Sequence, residues 1–270
     1  MALSDDKAHS QGLRRVIQKA ARVVGFHVGR FPPVDSLAYH LRTVLRELEI
    51  DCVLDVGAHE GEFAGFVRDL GYEGEIISFE PVGATFATLS KARAGDKRWR
   101  GHNIALGADD TELELNIYAG SVFNSFLKPA AHGTTRFRAA TQIVRVDRVP
   151  VRRLESILDG ILLARPGARI FLKIDTQGYD LQVVRGAGRQ LGAICALQSE
   201  LAVRATYEGM PTLPEALAEL GQLGFEVTGM FPVARELDHL RVIEFDCVMC
   251  RKPRAAGTGP VPGAPGAVSE

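Results

Sequence analysis

The sequence has no excess of charge of either sign, since its 270 residues include 32 Lys and Arg against 33 Asp and Glu. A protein that grips nucleic acid by its phosphates needs a basic surface, and a balanced composition supplies no overall field of that kind. Any basic surface on this chain must therefore be local. We expect no nucleic-acid partner.

Long apolar runs are also absent from the sequence. No run approaches the roughly 20 residues of a membrane-spanning helix, and the first residues, with Asp5 and Asp6, lack the apolar stretch of a secretory signal. Cys247 and Cys250 form one Cys-x-x-Cys, but Cys52 and Cys195 do not supply the second pair of a typical metal site. Strand alternation places Cys247 and Cys250 on opposite faces. These absences predict a soluble, cytoplasmic protein with reduced thiols.

The two ends of the chain are predicted to lie outside the main domain. An N-terminal helical extension covers residues 1–50, and within it residues 12–30 combine helical apolar spacing with a basic face. Two interpretations of this segment stay open, a helix packed on the domain and a peripheral contact with a membrane. Residues 253–270 are rich in Ala, Gly and Pro without periodicity, which predicts a disordered tail.

Residues 51–252 alternate short apolar runs with helical segments, which predicts an α/β domain with a largely parallel sheet and helices on both faces. Two late runs without a helix between them predict an antiparallel hairpin at one edge. The expected strands are 52–56, 75–79, 102–106, 112–118, 143–151, 169–174, 193–199, 225–230 and 242–250. The expected helices are 36–48, 61–70, 82–93, 212–223 and one between 174 and 193.

A glycine loop joins the first strand to its helix and reads Asp55-Val-Gly-Ala-His-Glu-Gly61. Dinucleotide enzymes use Gly-x-Gly-x-x-Gly, because a pyrophosphate must lie against bare backbone. This loop lacks the third glycine and carries Asp55 and Glu60, which would repel phosphate. The cationic, phosphate-free cofactor S-adenosylmethionine suits it better, although a purely structural turn stays open. The residues expected to bind the cofactor here are Asp55, Gly57, Ala58, His59 and Gly61.

The ends of the next two strands extend this prediction. Glu80 follows the second strand, 25 positions after Asp55, near the roughly 20 expected for a carboxylate that accepts both ribose hydroxyls. The third strand is expected to end near the adenine. Asn103 and Ala105 are the residues expected to contact the cofactor at that point.

Several motifs in the same order make the chain resemble the FkbM family of methyltransferases, from about residue 52 to residue 251. They include Phe79-Glu80-Pro81, Ala105-Leu106-Gly107, Asn124-Ser125-Phe126, Lys173-Ile-Asp175 and Glu200. Gln177 stands where the family more often has glutamate, and Glu155 where it usually has aspartate. The notable departures therefore concern the placement of the substrate more than the binding of the cofactor.

The resemblance implies a class I methyltransferase fold, which is Rossmann-like: a seven-stranded sheet with helices on both faces and a C-terminal antiparallel hairpin. It also implies O-methylation, often of a hydroxyl on a sugar, a glycolipid or a natural product. The expected partner is therefore a small-molecule or glycan acceptor. The sequence carries no prediction of the oligomeric state.

An alcohol is not ionised at neutral pH, so methyl transfer to it needs a general base or a metal ion. Asp175 is the first candidate base because its strand delivers it to the crevice, although capping the next helix is an equally good interpretation. Glu200 is the second candidate. Together these two carboxylates could hold Mg²⁺, which makes metal dependence a hypothesis. His132, in the long polar loop after residue 118, is a third candidate base.

Three other functions compete with this interpretation. A catalytically silent domain could use the same fold as a binding module, but the carboxylates argue against it. A nucleic-acid methyltransferase would show a basic face or an Asn/Asp-Pro-Pro-aromatic segment, and the sequence shows neither. An NAD-dependent dehydrogenase is disfavoured by the chemistry of the glycine loop.

Overall fold

A computed structural model describes Val23 and residues 32–131, 139–236 and 240–251. Apart from the exposed, helical Val23, the predicted basic helix at 12–30 lies outside the described residues. The predicted tail at 253–270 also lies outside them. Both of these statements about the ends of the chain therefore stay predictions. No helix within the described ranges is long and apolar enough to cross a membrane.

The described residues form ten strands and six α-helices. The strands are β1 (Cys52–Val56), β2 (Glu75–Phe79), β3 (Trp99–His102), β4 (Ala105–Gly107), β5 (Thr111–Tyr118), β6 (Ile143–Arg153), β7 (Ile170–Ile174), β8 (Ile194–Ala202), β9 (Phe225–Glu236) and β10 (Arg241–Arg251). The helices are α1 (Leu37–Glu47), α2 (Glu62–Asp69), α3 (Gly83–Arg93), α4 (Leu154–Ala164), α5 (Asp180–Arg185) and α6 (Leu213–Gln222).

The main sheet has seven strands in the order β3-β2-β1-β7-β8-β10-β9. Strands β3, β2, β1, β7 and β8 run parallel, and β10 pairs antiparallel with both β8 and β9. The seven-stranded sheet with a terminal hairpin that the resemblance implied is thus confirmed. Strands β4, β6 and β5 form a separate three-stranded sheet.

The central strands are buried on both faces, as continuous apolar runs predict for a parallel sheet covered by helices. Every residue of β1 and of β7 is buried. Alternate residues of β1 enter different core clusters, with Leu54 on one face of the sheet and Val53 on the other. Helix α1 adds Leu41, Val44 and Leu45 to the second face, so it packs directly on the domain. Its N-cap is Ser36, whose hydroxyl accepts a hydrogen bond from the Tyr39 N–H.

The third strand differs from the expectation. The apolar run at 102–106 predicted one strand, but β3 ends at His102 and Ala105 begins β4 in the second sheet. Strand β3 lies at an edge of the main sheet and alternates between half-buried and exposed residues, so it has little apolar content to signal it. Helix α4 was not predicted, and β9 extends to Glu236 instead of ending at residue 230.

The four cysteines are all free thiols. Cys247 belongs to the core cluster on one face of the sheet, while Cys250 packs against the cluster on the other face. This confirms the prediction that the two side chains point in opposite directions. Burial raises the pKa of the Cys247 thiol to about 11, so it stays protonated at neutral pH.

Candidate active site

A cavity of about 520 Å³ opens beyond the carboxyl ends of β2, β1 and β7. This is where ligands bind in open α/β sheets. Its walls bring together seven of the residues that the sequence analysis singled out, namely Gly57, Ala58, His59, Glu80, Ala105, Asp175 and Glu200. The cavity therefore unites the predicted cofactor loop with the predicted catalytic carboxylates.

The glycine loop lies against the end of β7. Gly57 has φ +73°, and a Cβ atom built on it would lie 1.9 Å from the carbonyl oxygen of Asp175. Its N–H donates to the Phe79 carbonyl at 3.0 Å, which ties the loop to the end of β2. Only glycine satisfies both the backbone conformation and the close approach. The loop and the Asp175 backbone are thus in direct contact.

Glu80 is buried beside this loop, with 6% of its surface exposed. Its two carboxylate oxygens accept hydrogen bonds from the backbone N–H groups of His59, at 3.0 Å, and Val82, at 2.9 Å. Burial raises the pKa of Glu80 to about 7, and the two N–H donors oppose this rise. Each oxygen keeps a second lone pair, so the carboxylate can still accept from a ligand in the cavity.

Asp55 was expected to face the cofactor, and the structure places it elsewhere. Its side chain is completely buried, and it does not line the cavity. Ser78 and Lys173 are its register partners on the two neighbouring strands, so all three side chains meet beneath the loop. The Ser78 hydroxyl donates to Asp55 Oδ2 at 3.2 Å. Asp55 therefore supports the loop from below, because strand alternation turns its side chain inward.

Gly61 and Asn103 also lie outside the cavity wall. Gly61 is the N-cap of α2 with φ 95°, and a Cβ atom there would lie 2.7 Å from Leu89 Cδ1. The Asn103 amide donates to the carbonyl oxygens of Glu80, at 2.8 Å, and Pro81, at 3.0 Å. Gly61 therefore shapes the loop, and Asn103 positions Glu80. The cavity wall next to Glu80 is instead formed by apolar residues such as Val82, Ala105 and Leu106.

Lys173 is the cation at the centre of the site. Its ammonium nitrogen lies 3.4 Å from Asp55 Oδ1, 3.6 Å from Asp175 Oδ2 and 3.1 Å from the Gly57 carbonyl oxygen. Burial opposes the charged form, but the negative charges of Asp175, Asp55 and Glu200 outweigh it and raise the Lys173 pKa. Lys173 thus stays charged and connects the cofactor loop to Asp175.

Asp175 and Glu200 reach the cavity from adjacent strands, and they differ in burial. The Asp175 side chain is 37% exposed, whereas burial and the nearby charges of Asp175, Glu244 and Asp246 raise the Glu200 pKa well above its ordinary value. Asp175 does not cap the next helix, because α5 begins at Asp180 with Tyr179 at its N-cap. The capping interpretation was therefore wrong, and the Asp175 carboxylate is available to a ligand.

The magnesium hypothesis gains no support from this arrangement. No group of three or more His, Cys, Asp or Glu side chains in the described ranges is arranged to hold a metal ion. The Lys173 ammonium, 3.6 Å from Asp175 Oδ2, already supplies a positive charge beside this carboxylate. Gln177 places an amide nitrogen between Asp175 and Glu200, which a metal ion would have to displace.

Segment 121–131 borders the cavity opposite the sheet, and Ser121, Val122, Asn124 and Phe126 are among the lining residues. His59 joins this segment to the cofactor loop, since its Nε2 lies 2.9 Å from the Ser121 hydroxyl and its Nδ1 lies 3.0 Å from Glu62 Oε1. His132, the third candidate base, lies outside the described residues. Its role stays a prediction.

Comparison with known proteins decides the family. Residues 55–227 match the family model described as the methyltransferase FkbM domain. This chain belongs to the FkbM methyltransferase family. The matched region contains Glu80, Asp175 and Glu200 but not β10, which closes the sheet beside β8. The resemblance stated from the sequence motifs is thereby confirmed.

Individual relatives of this FkbM domain are distant. The protein named Methyltransferase 1 from Beauveria bassiana (strain ARSEF 2860) is 27% identical over 148 residues, which are 50% of this chain and 57% of that protein. The match thus spans little more than half of the relative's length.

Solved structures with a similar chain path include two methyltransferases. A ribosomal protein L11 methylase from Lactobacillus delbrueckii subsp. bulgaricus has a TM-score of 0.42 and 11% identity, covering 80% of this chain and 78% of that one. A magnesium protoporphyrin IX methyltransferase from Synechocystis PCC 6803 has a TM-score of 0.40 and 10% identity, covering 87% and 91%. The family assignment rests on the domain match and not on these structures.

The two departures from the family pattern lie in different places. Gln177 lines the cavity between Asp175 and Glu200. Glu155 does not line the cavity and instead forms ion pairs with Arg153 and Arg189. Of these two departures, only Gln177 therefore lies where it could affect the placement of a substrate.

Several residues of the site were not predicted from the sequence. Asp246 on β10 and Gln198 on β8 line the cavity beside Glu200, and the Gln198 amide donates to Asp246 Oδ1 at 2.9 Å. Charged residues at alternate positions of the otherwise apolar run 242–250 were the signal that could have found Asp246. Tyr207, which the sequence suggests as a residue lining the acceptor pocket, does not line the cavity; it is only 1% exposed, and its hydroxyl lies 2.8 Å from Gln177 Oε1 behind the wall.

Proposed function

We propose that this FkbM domain is an S-adenosylmethionine-dependent O-methyltransferase that acts on a hydroxyl of a sugar, a glycolipid or a natural product. One observation carries the proposal. A single cavity contains the buried Glu80 carboxylate at the end of β2 and the half-exposed Asp175 carboxylate at the end of β7, with the glycine loop of β1 between them. A ribose-binding group and a proton acceptor thus share one cavity.

The residues present fit the proposed cofactor. The Glu80 carboxylate has free lone pairs for the ribose hydroxyls. The apolar wall formed by Val82, Ala105, Leu106, Leu115 and Phe126 suits a flat adenine ring. Glu80 also makes the adjoining part of the cavity unfavourable for a phosphate group. The volume of about 520 Å³ lies within the range of small-molecule sites.

The chemistry assigned to the protein is modest. S-adenosylmethionine, when bound, supplies a methyl group already activated on a sulfonium. The protein must then hold the acceptor hydroxyl in line and take up its proton. Asp175 supplies the acceptor oxygen for that proton, since its carboxylate faces the cavity and is held 3.6 Å from the Lys173 ammonium. Burial and the like charges around Glu200 raise its pKa and favour its neutral form, so the role of the base is assigned to Asp175 and not to Glu200.

The proposal is tested by a transfer assay with methyl-labelled S-adenosylmethionine on lipid and glycan extracts. We expect label in a product that is identified as an O-methyl ether, and loss of that product with Asp175→Asn. Asp69→Asn, at an exposed position on α2, is the matched control and should keep wild-type activity. A labelled N-methyl product would contradict the O-methyl assignment. Binding of the cofactor without transfer to any acceptor would favour a silent binding module.

A further inference from the structure

Gln177 connects the two carboxylates of the active site. Its amide nitrogen lies 2.9 Å from Asp175 Oδ1 and 3.4 Å from Glu200 Oε2. Its amide oxygen lies 2.8 Å from the Tyr207 hydroxyl, which also lies 2.9 Å from the Phe123 carbonyl oxygen. The opposite orientation would point the amide oxygen at two carboxylates. Both N–H groups of the amide are therefore directed at the acidic side chains.

The backbone of Gln177 is held in an uncommon conformation. Its φ is 52°, in the left-handed region that residues with a side chain seldom adopt. The Ser125 hydroxyl donates to its carbonyl oxygen at 2.7 Å, and Ser125 is buried in segment 121–131. Strain of this kind persists only where the surroundings enforce it, and it concentrates at functional sites. The side chain is thus presented to the carboxylates from a fixed backbone.

The charges around Asp175 explain why an amide is useful there. The titratable groups that face Asp175, or the Glu200 carboxylate beside it, come from β1, β7, α5, β8, β10 and the segment after β8. They are Asp55, Lys173, Asp180, Glu200, Tyr207, Glu244 and Asp246. Lys173 is the one cation in this set. An amide donates two hydrogen bonds to these carboxylates without adding a charge, whereas a glutamate at position 177 would add one more negative charge.

We infer that Gln177 is a positioning residue for methyl transfer, whose amide group aims the Asp175 carboxylate at the acceptor and separates it from Glu200. The inference rests on the proposed function, because it assigns Asp175 the role of the base. It goes beyond that function because Gln177, which takes no part in the proton transfer, then sets the pH range of the reaction. The groups that hold Gln177, Tyr207 and Ser125, then serve to lock this arrangement.

The pH profile of the variant Gln177→Glu tests the inference. An added carboxylate beside Asp175 raises the pKa of that base, so the acidic limb of the kcat profile should move upward by about one unit or more. The plateau should stay below the wild-type value, because an ionised glutamate cannot donate to Asp175. Gln222→Glu makes the same charge change at an exposed position at the end of α6 and should leave the profile unchanged.

Thermal unfolding provides a readout that does not depend on turnover. A glutamate introduced at position 177 is neutral in acid and, when ionised, repels the carboxylates around it. The melting temperature of Gln177→Glu should therefore fall below that of the wild type by several degrees at pH 8 and match it closely near pH 4.5. Gln222→Glu should show no such trend.

The two measurements separate this inference from the proposed function. If the wild type transfers no methyl group but the pH-dependent loss of melting temperature is present, the proposed function fails while the electrostatic role of Gln177 stands. If the wild type is active and Gln177→Glu keeps the wild-type pH profile, the positioning role is overturned. A pH-independent loss of melting temperature would overturn it as well, since it would indicate a packing defect only.

Discussion

The ammonium nitrogen of Lys173 lies 3.4 Å from Asp55 Oδ1, inside the sheet and directly beneath the cofactor loop. Within the described residues, this contact is an ion pair, and Asp55 Oδ1 accepts no hydrogen bond. The pair connects β1 to β7, and the Lys173 ammonium also contacts the Asp175 carboxylate and the Gly57 carbonyl oxygen. Asp55 therefore acts on the site through Lys173.

Removal of Asp55 should destabilise the protein strongly. Asp55→Ala leaves a buried ammonium without its deepest partner, and breaking a buried pair in this way costs about 3–5 kcal/mol. Chemical denaturation measures the change in the free energy of unfolding. Asp69→Ala, at an exposed position on α2, should change it by less than about 0.5 kcal/mol. An Asp55→Ala variant as stable as this control would contradict a supporting role for Asp55.

Asp175→Asn should abolish turnover and spare the cofactor site. The amide keeps the size of the side chain but cannot accept the proton of the acceptor, which removes a contribution of about 10²–10⁴-fold in rate. Calorimetric titration with S-adenosylhomocysteine should give an affinity within a few-fold of the wild type. Retained turnover would remove Asp175 from the mechanism.

Cofactor affinity should depend on pH through Glu80. Burial raises the pKa of this carboxyl to about 7, and the ribose hydroxyls of the proposed cofactor would donate to its ionised form. Binding is then fully developed above pH 7 and weakens as pH falls through that value, by up to about tenfold per unit. Calorimetry with S-adenosylhomocysteine from pH 5.5 to 8.5 measures this slope. Glu80→Gln should bind more weakly and show a flat profile, whereas a wild-type slope in that variant would disprove the assignment.

Gly57→Ala should disrupt the contact between the cofactor loop and β7. The added methyl group would lie 1.9 Å from the Asp175 carbonyl oxygen, so the backbone must separate. Gly71→Ala is a matched control, because Gly71 also has a left-handed φ of +88° but has no atom within 4 Å of the added carbon. We expect Gly57→Ala to lose about 1–3 kcal/mol more stability than the control. Equal losses in denaturation would mean that the close approach is unimportant.

The sequence predicted the sheet well where its strands are apolar and central. The bounds of β1 and β2 agree with the predicted runs, because both strands are covered on both faces. The error at β3 has a physical cause. An edge strand pairs on one side only and can stay polar, as Trp99-Arg100-Gly101-His102 does, so the apolar run after it attracted the prediction instead.

The sequence predicted where the residues of the candidate site lie better than it predicted what each residue does. Strand order brought Glu80, Asp175 and Glu200 to one edge, as expected for the ends of neighbouring strands. Strand alternation alone places Asp55 on the same face as Val53, but the partner that holds it there, Lys173, follows from the pairing of β1 with β7, which is not visible in a single strand. The position of Gln177 depends on a left-handed turn and on contacts from a segment about 50 residues earlier in the chain.

The most direct test of the central claim is a calorimetric titration of the wild-type protein with S-adenosylhomocysteine and, separately, with NAD. We predict saturable one-site binding of S-adenosylhomocysteine, strongly weakened by Glu80→Ala, and no binding of NAD. Binding of NAD in place of S-adenosylhomocysteine, or S-adenosylhomocysteine binding that Glu80→Ala leaves intact, would contradict the cofactor site described above.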